Sequence, residues 1–139
     1  MAVLGTGGGA RAPIAKLAEL GHEVHVGTRD PRATLARTEP DIQRALPRTK
    51  VVKAFVTQEQ DTVVDPKAIG AGDHTMFIAG EHTDAKAAVT DLLMAYGWTD
   101  ILDLGPLVSA RGMEMYAHMH SAIGFALGFG THFGIKVVR

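Results

Sequence analysis

Residues 3–13 read V-L-G-T-G-G-G-A-R-A-P. A short apolar strand, Ala2 to Leu4, runs into Gly5, and the spacing Gly5-x-Gly7-x-x-Ala10 follows before an amphipathic helix. That order is the one a dinucleotide-binding turn needs. Gly5 allows the sharp turn off the strand. Gly7 lacks a Cβ, so backbone can come close to a pyrophosphate, and Ala10 is small enough for helix to pack on strand. Thr6, Gly8 and Gly9 complete the cradle. The free N–H groups of the helix's first turn, at the positive end of its dipole, then face the phosphates. Pro13 is expected in that first turn, where a missing N–H costs nothing. The competing reading is a plain glycine-rich turn; strand before and helix after argue against it.

Residues 22–29, H-E-V-H-V-G-T-R, read as the second strand. An NAD site carries an acidic residue at the end of this strand to hold the ribose 2′-hydroxyl. Here that place is Gly27, followed by Thr28 and Arg29. A hydroxyl and a guanidinium suit a 2′-phosphate, which a carboxylate would repel. The cofactor expected is therefore NADP(H), with Arg32 adding charge one turn further on. As an isolated pair, Thr28 and Arg29 would instead read as a solvated loop.

The chain has 139 residues and a formal net charge of −1, with no cysteine. One domain with a real core is expected. The balance of charge gives no sign of nucleic-acid binding. Disulfides, zinc–thiolate sites and thiol catalysis are excluded. The first strand starts at residue 2, which leaves no room for a signal peptide, and the apolar run near 121–130 is too short to span a bilayer. A cytoplasmic protein is the expectation.

The first helix is expected over 10–20, burying Ile14, Leu17, Ala18 and Leu20 and stopped by Gly21. A short helical segment is expected at 40–46, a strand at 50–56 and a long loop at 57–73. Residues 75–79 read as a buried strand, 83–96 as a helix capped by Gly97, and 101–104 as another strand. The longest helix is expected at 107–128 and a last strand at 135–138. Strands alternating with helices argue an α/β fold with a parallel sheet. Residues 1–106 form the expected Rossmann-like cofactor-binding domain and 107–139 a C-terminal helix and tail.

The whole chain resembles the NADP-dependent reductases of the deazaflavin coenzyme called factor 420, and related bacterial NADP oxidoreductases. The matching pieces are G-H-E-V-H-V-G-T-R-D-P (21–31), K-V-V-K-A-F (50–55), D-H-T-M-F-I-A-G (73–80), D-A-K-A-A-V-T-D-L-L (84–93) with G-W (97–98), and D-L-G-P-L-V-S-A-R (103–111), in the family's order. The resemblance implies a Rossmann domain with a helical extension, paired in a homodimer. It implies hydride transfer between NADP(H) and a deazaflavin-like or other small acceptor. By position, Thr6, Gly7, Thr28 and Arg29 would be the NADP contacts. One departure is Val56, where the family has Asn after K-A-F in a loop near the nicotinamide. Hydride transfer needs no protein nucleophile, so no catalytic residue is named.

The second departure is length. One βαβ unit takes about 30 residues or more, and only twenty (30–49) separate Arg29 from Lys50. The Rossmann fold is therefore expected to be truncated in the middle. Three explanations stand: an internal deletion, a chain that is part of a longer one, or a strand at 50–56 that slides over to pair with the first. The alternative to an oxidoreductase is a truncated relative that binds NADP(H) or only assembles as a dimer, without turnover.

His118 and His120, with Met113, Met115 and Met119, suggest a metal at first sight. Residues two apart on a helix point to different faces, so no metal site is expected. The methionines read as core filler, and Glu114 with His118 as a surface hydrogen bond. Small residues at Ala117, Ser121, Gly124 and Gly128 make a stripe that another helix could approach. A helix apolar on more than one face must be covered, and a second copy through 107–129 is the expected cover.

Overall fold

The computed structural model describes residues 2–4, 8–21, 25–27 and 48–139, with side chains in the first three stretches described only in part. Strands Ala2–Leu4 (β1) and His25–Gly27 (β2) pair in parallel, with Ala2 opposite His25 and Leu4 opposite Gly27. Helix Gly8–Glu19 (α1) lies between them in sequence. A strand, a helix and a parallel second strand are what the glycine turn predicts. The helix stops as expected: Leu20 N–H donates to Lys16 O (3.1 Å), Gly21 N–H to Ala18 O (3.0 Å), and Gly21 takes a φ of +78°.

Two details of α1 differ from expectation. It starts at Gly8, so Pro13 lies in its second turn, not its first. Among its described side chains Pro13 and Leu17 are buried, while Ala18 and Leu20 are exposed; the side chain of Ile14 lies outside the description. The spacing i, i+4 puts Pro13 and Leu17 on one face, and that face meets the rest of the chain.

The second sheet is built from Val52–Lys53 (β3), Met76–Gly80 (β4) and Ile101–Asp103 (β5), in the order β3-β4-β5. Strands β4 and β5 are parallel, Met76 opposite Ile101, and helix Thr83–Tyr96 (α3) connects them. Strand β3 is antiparallel to β4, Val52 opposite Gly80, which corrects the all-parallel expectation. The segment between β3 and β4 holds one α-helix, Gln60–Val64 (α2), only five residues long. That is too short to cross a sheet face, as a parallel connection requires, and α2 packs on α1 instead. Strand β3 is also shorter than the predicted 50–56. Among the described residues it pairs with β4 and lies in a different sheet from β1, so it does not slide over to pair with β1. The predicted loop 57–73 contains α2 and two 3-10 turns, Pro66–Ala68 and Gly70–Gly72. The predicted helix at 40–46 lies outside the described residues.

The core gathers on the inner side of β4. Met76, Ile78, Leu93, Val63 and Trp98 are all buried there. Trp98 reaches it through the end of α3, where Gly97 takes a φ of +102°. Gly97 N–H donates to Met94 O and Trp98 N–H to Leu93 O, the paired bonds of a Schellman cap. The indole N–H of Trp98 then donates to Val63 O at 2.9 Å and pins α2.

The C-terminal region is segmented, not one helix over 107–128. A 3-10 turn (Leu107–Ser109) leads into helix Ala110–Ser121 (α4), which loosens into a π-turn at Ala122–Ala126. Gly128 and Gly130 then adopt positive φ, and Gly130 N–H donates back to Gly124 O at 2.9 Å. Residues 135–138 form no strand. Thr75 N–H donates to Ile135 O, but Val137 N–H bonds the Thr75 hydroxyl at 3.0 Å, so no ladder propagates. No helix among the described residues is long and apolar enough to cross a membrane.

Candidate functional site

The parallel register of β1 and β2 brings Leu4 level with Gly27. The chain therefore leaves both strands at the same edge, one strand spacing (about 4.8 Å) apart. From Leu4 it enters the glycine turn and then the N-terminus of α1; from Gly27 it enters Thr28 and Arg29. Gly8, Gly9 and Ala10 form the first turn of α1, whose N–H groups have no intrahelical partner. Gly5, Thr6, Gly7, Thr28, Arg29 and Arg32 lie outside the described residues. The structure places the ends that lead into them.

A second turn comes to the same helix. After β3 the chain passes through Ala54 and Phe55, the latter at a φ of +64°, an unusual value for a side chain of this size. The Phe55 ring lies 6.2 Å from that of Tyr96. The Tyr96 hydroxyl donates to Pro13 O in α1 at 3.2 Å. With α2 packed on α1, the segment from β3 to α2 is held against α1.

Within that second turn Thr57 and Gln58 are buried, at 4% and 8% exposure. Among the described residues the Thr57 hydroxyl and both amide atoms of Gln58 have no hydrogen-bond partner. The sequence hides this, because polar residues in a stretch read as loop look solvated. The signal available was their position, directly after an apolar strand and beside Val56.

The histidines and methionines do not converge. His120 stacks on Phe133 (4.5 Å) and meets Tyr116 edge-on, while His118 is exposed on another face. Among the described residues no group of three His, Asp or Glu is placed to hold a metal. Met113 is buried, but Met115 and Met119 are exposed and are not core filler. Glu114 pairs with Lys53, not with His118. Gly124 is covered by its own chain's Gly130, so the small-residue stripe is not open along its length. His74 is structural: its ring bonds Pro66 O at 2.9 Å and packs on Trp98.

The chain is similar in structure to a candidate F420-dependent NADP-reductase from Arthrobacter sp. FB24, with a TM-score of 0.86 and 29% identity over 99% of this chain and 98% of that one. This agrees with the resemblance carried by the five sequence segments from 21–31 to 103–111. A hypothetical protein from Sinorhizobium meliloti shares the fold more distantly, at a TM-score of 0.52 and 18% identity over 78% of this chain and 86% of that one. No protein-family model and no curated protein matches the chain. The architecture that the chain shares with the Arthrobacter protein is mixed α/β, with a three-stranded sheet and flanking helices.

Proposed function

We propose that the chain is an NADP(H)-dependent oxidoreductase, moving a hydride between NADP(H) and a deazaflavin-like or other small acceptor, in the cytoplasm. The observation that carries this is the likeness to the Arthrobacter protein over nearly the whole of both chains. The start of α1 directly after the glycine turn supports it. When bound, the nicotinamide supplies the hydride; the chain's own residues hold and orient it. In this reading Gly5, Thr6, Gly7, Gly8, Gly9 and Ala10 receive the pyrophosphate on the N-terminus of α1. Thr28, Arg29 and Arg32 receive the 2′-phosphate.

The test is to titrate NADPH and NADH into the chain and follow nicotinamide absorbance with a deazaflavin acceptor. Tight NADPH binding with turnover is expected. No NADPH binding overturns the reading.

One observation favours a second reading, a truncated relative that binds NADP(H) without turnover. Among the described residues β1–β2 and β3–β4–β5 are separate sheets with no strand between them. The same titration decides it: binding without absorbance loss is its signature.

The assembly proposed is a homodimer through 107–129. Met115, Met119, Phe125, Leu127 and Phe129 are each more than half exposed along α4 and its extension. Exposed apolar side chains gathered along one segment mark an interaction surface.

A further inference from the structure

We infer that Tyr96 is a positioning residue for the cofactor: its hydrogen bond to the Pro13 carbonyl fixes the point from which the first turn of α1 is aimed at the pyrophosphate. The inference rests on the cofactor reading above. Helix α1 spans Gly8–Glu19, and Pro13 lies inside it. In an uninterrupted helix the N–H of residue 13 would close on the Gly9 carbonyl. Proline has no N–H, and its ring crowds the carbonyl four residues back. The turn that would face the phosphates, Gly8 to Ala10, is therefore joined to the rest of α1 by one bond fewer. Gly8 and Gly9 bring the freest backbone of any residue and no side chain to pack.

What fixes the helix directly behind that turn comes from another element. Pro13 and Leu17 are buried. The Pro13 carbonyl accepts from the Tyr96 hydroxyl at 3.2 Å, and its second lone pair leaves it free to accept within the helix as well. Tyr96 is itself only 5% exposed and is the last residue of α3. Its ring packs beside that of Phe55. Just beyond it, the Trp98 indole donates to Val63 O at 2.9 Å, and α2, which carries Val63, packs on α1. The C-terminal end of α3 thus holds α1 twice, directly at Pro13 and through α2.

Backbone N–H groups that receive a pyrophosphate cannot swing toward it as side chains can, so affinity follows the placement of the turn that carries them. A hydroxyl that sets the pivot of that turn acts on pyrophosphate affinity without touching the ligand. The 2′-phosphate is assigned to Thr28 and Arg29, which follow β2 in the chain and not α1, so its affinity is independent of Tyr96.

The experiment uses Tyr96→Phe, Pro13→Ala and the double variant in the full chain, at a temperature where circular dichroism shows each of them folded. Two ligands are titrated: NADPH, and adenosine 2′-phosphate, which keeps the 2′-phosphate and lacks the pyrophosphate. Tyr96→Phe is expected to weaken NADPH about three- to tenfold, the worth of one hydrogen bond, and to leave adenosine 2′-phosphate within about twofold. Pro13→Ala returns an N–H to the Gly9 carbonyl, and in that background Tyr96→Phe is expected to weaken NADPH by less than about twofold. Unchanged NADPH affinity in Tyr96→Phe, with only a lowered unfolding midpoint, makes the bond structural and overturns the inference. Equal weakening of both ligands overturns it too, and so does the same loss of NADPH affinity with and without Pro13→Ala. If Tyr96→Phe does not fold by itself, all four chains are titrated in trimethylamine N-oxide, which favours the folded state, and the same outcomes decide. If the unaltered chain does not bind NADPH at all, the cofactor reading itself fails and the inference falls with it.

Discussion

The Tyr96 hydroxyl donates to the Pro13 carbonyl across 3.2 Å and joins the end of α3 to the second turn of α1. The two residues lie 83 positions apart in sequence. Pro13 has no N–H to return to the Gly9 carbonyl, so α1 is weakened where it is gripped from outside. Removing the grip with Tyr96→Phe is expected to cost about 1 kcal/mol in a denaturant titration. Burial pushes the Tyr96 phenol up to about 12. Its folded value is thus above the ordinary 10, so the stabilisation is complete below pH 10 and is lost as pH rises toward 12. Tyr96→Phe should flatten that alkaline limb.

Asp100 sets the acid limb. Its carboxylate accepts from the Thr75 hydroxyl (2.6 Å) and pairs with Arg139 (2.6 Å) and Lys136 (3.1 Å), which ties the C-terminal residues to the start of β4. The Thr75 hydroxyl first, then the two cations, hold its pKa at about 2 against the effect of burial. A lowered value means the stabilisation is present above the unfolded value of 3.8 and is lost as pH falls through 2. Asp100→Asn is expected to cost about 1–2 kcal/mol at pH 7 and to remove this step from a stability-against-pH curve.

Two glycines of the C-terminal region should respond with opposite signs. A Cβ on Gly124 would come to 2.5 Å from the Gly130 carbonyl oxygen, a backbone atom that cannot swing away. Gly124→Ala is expected to destabilise by about 1–3 kcal/mol. Gly112 in α4 has nothing within 4 Å of such a carbon. Gly112→Ala should stabilise by about 0.5–1 kcal/mol through helix propensity. Thermal melts of both variants check the pair.

The cofactor assignment predicts an asymmetric loss. Arg29→Ala should weaken NADPH at least tenfold, because a charge-assisted contact is worth about 1.5–3 kcal/mol, and should leave NADH nearly unchanged. Equal loss of both, measured by fluorescence titration, removes the 2′-phosphate role.

The exposed apolar residues of α4 and the segment after it, Met115, Met119, Phe125, Leu127 and Phe129, predict self-association. Sedimentation should give twice the chain mass, and Met119→Asp with Phe125→Asp should return it to the monomer. A concentration-independent monomer mass for the unaltered chain excludes the dimer through 107–129.

The local elements were legible in the sequence because short-range physics makes them. The glycine turn placed the start of α1 within two residues, and Gly21 and Gly97 marked helix ends where positive φ is needed. The five family-like segments carried the likeness that the structure shows over the whole chain. Pairing direction was not legible. Val52–Lys53 reads alike in a parallel or an antiparallel neighbour, and only the short α2, drawn to α1, turned β3 round. The fate of Met115 and Met119 was not legible either, since helical spacing places them on a face without saying what lies opposite. Nor was Thr57–Gln58: whether a polar side chain is hydrated or buried without a partner depends on residues distant in sequence. The sequence by itself determined the helix ends and caps and the residues offered at the proposed phosphate end, because those depend on neighbouring residues. Only the tertiary structure decided sheet direction, the Tyr96–Pro13 bond and the burial at Gln58, because each is set by contacts between segments far apart along the chain.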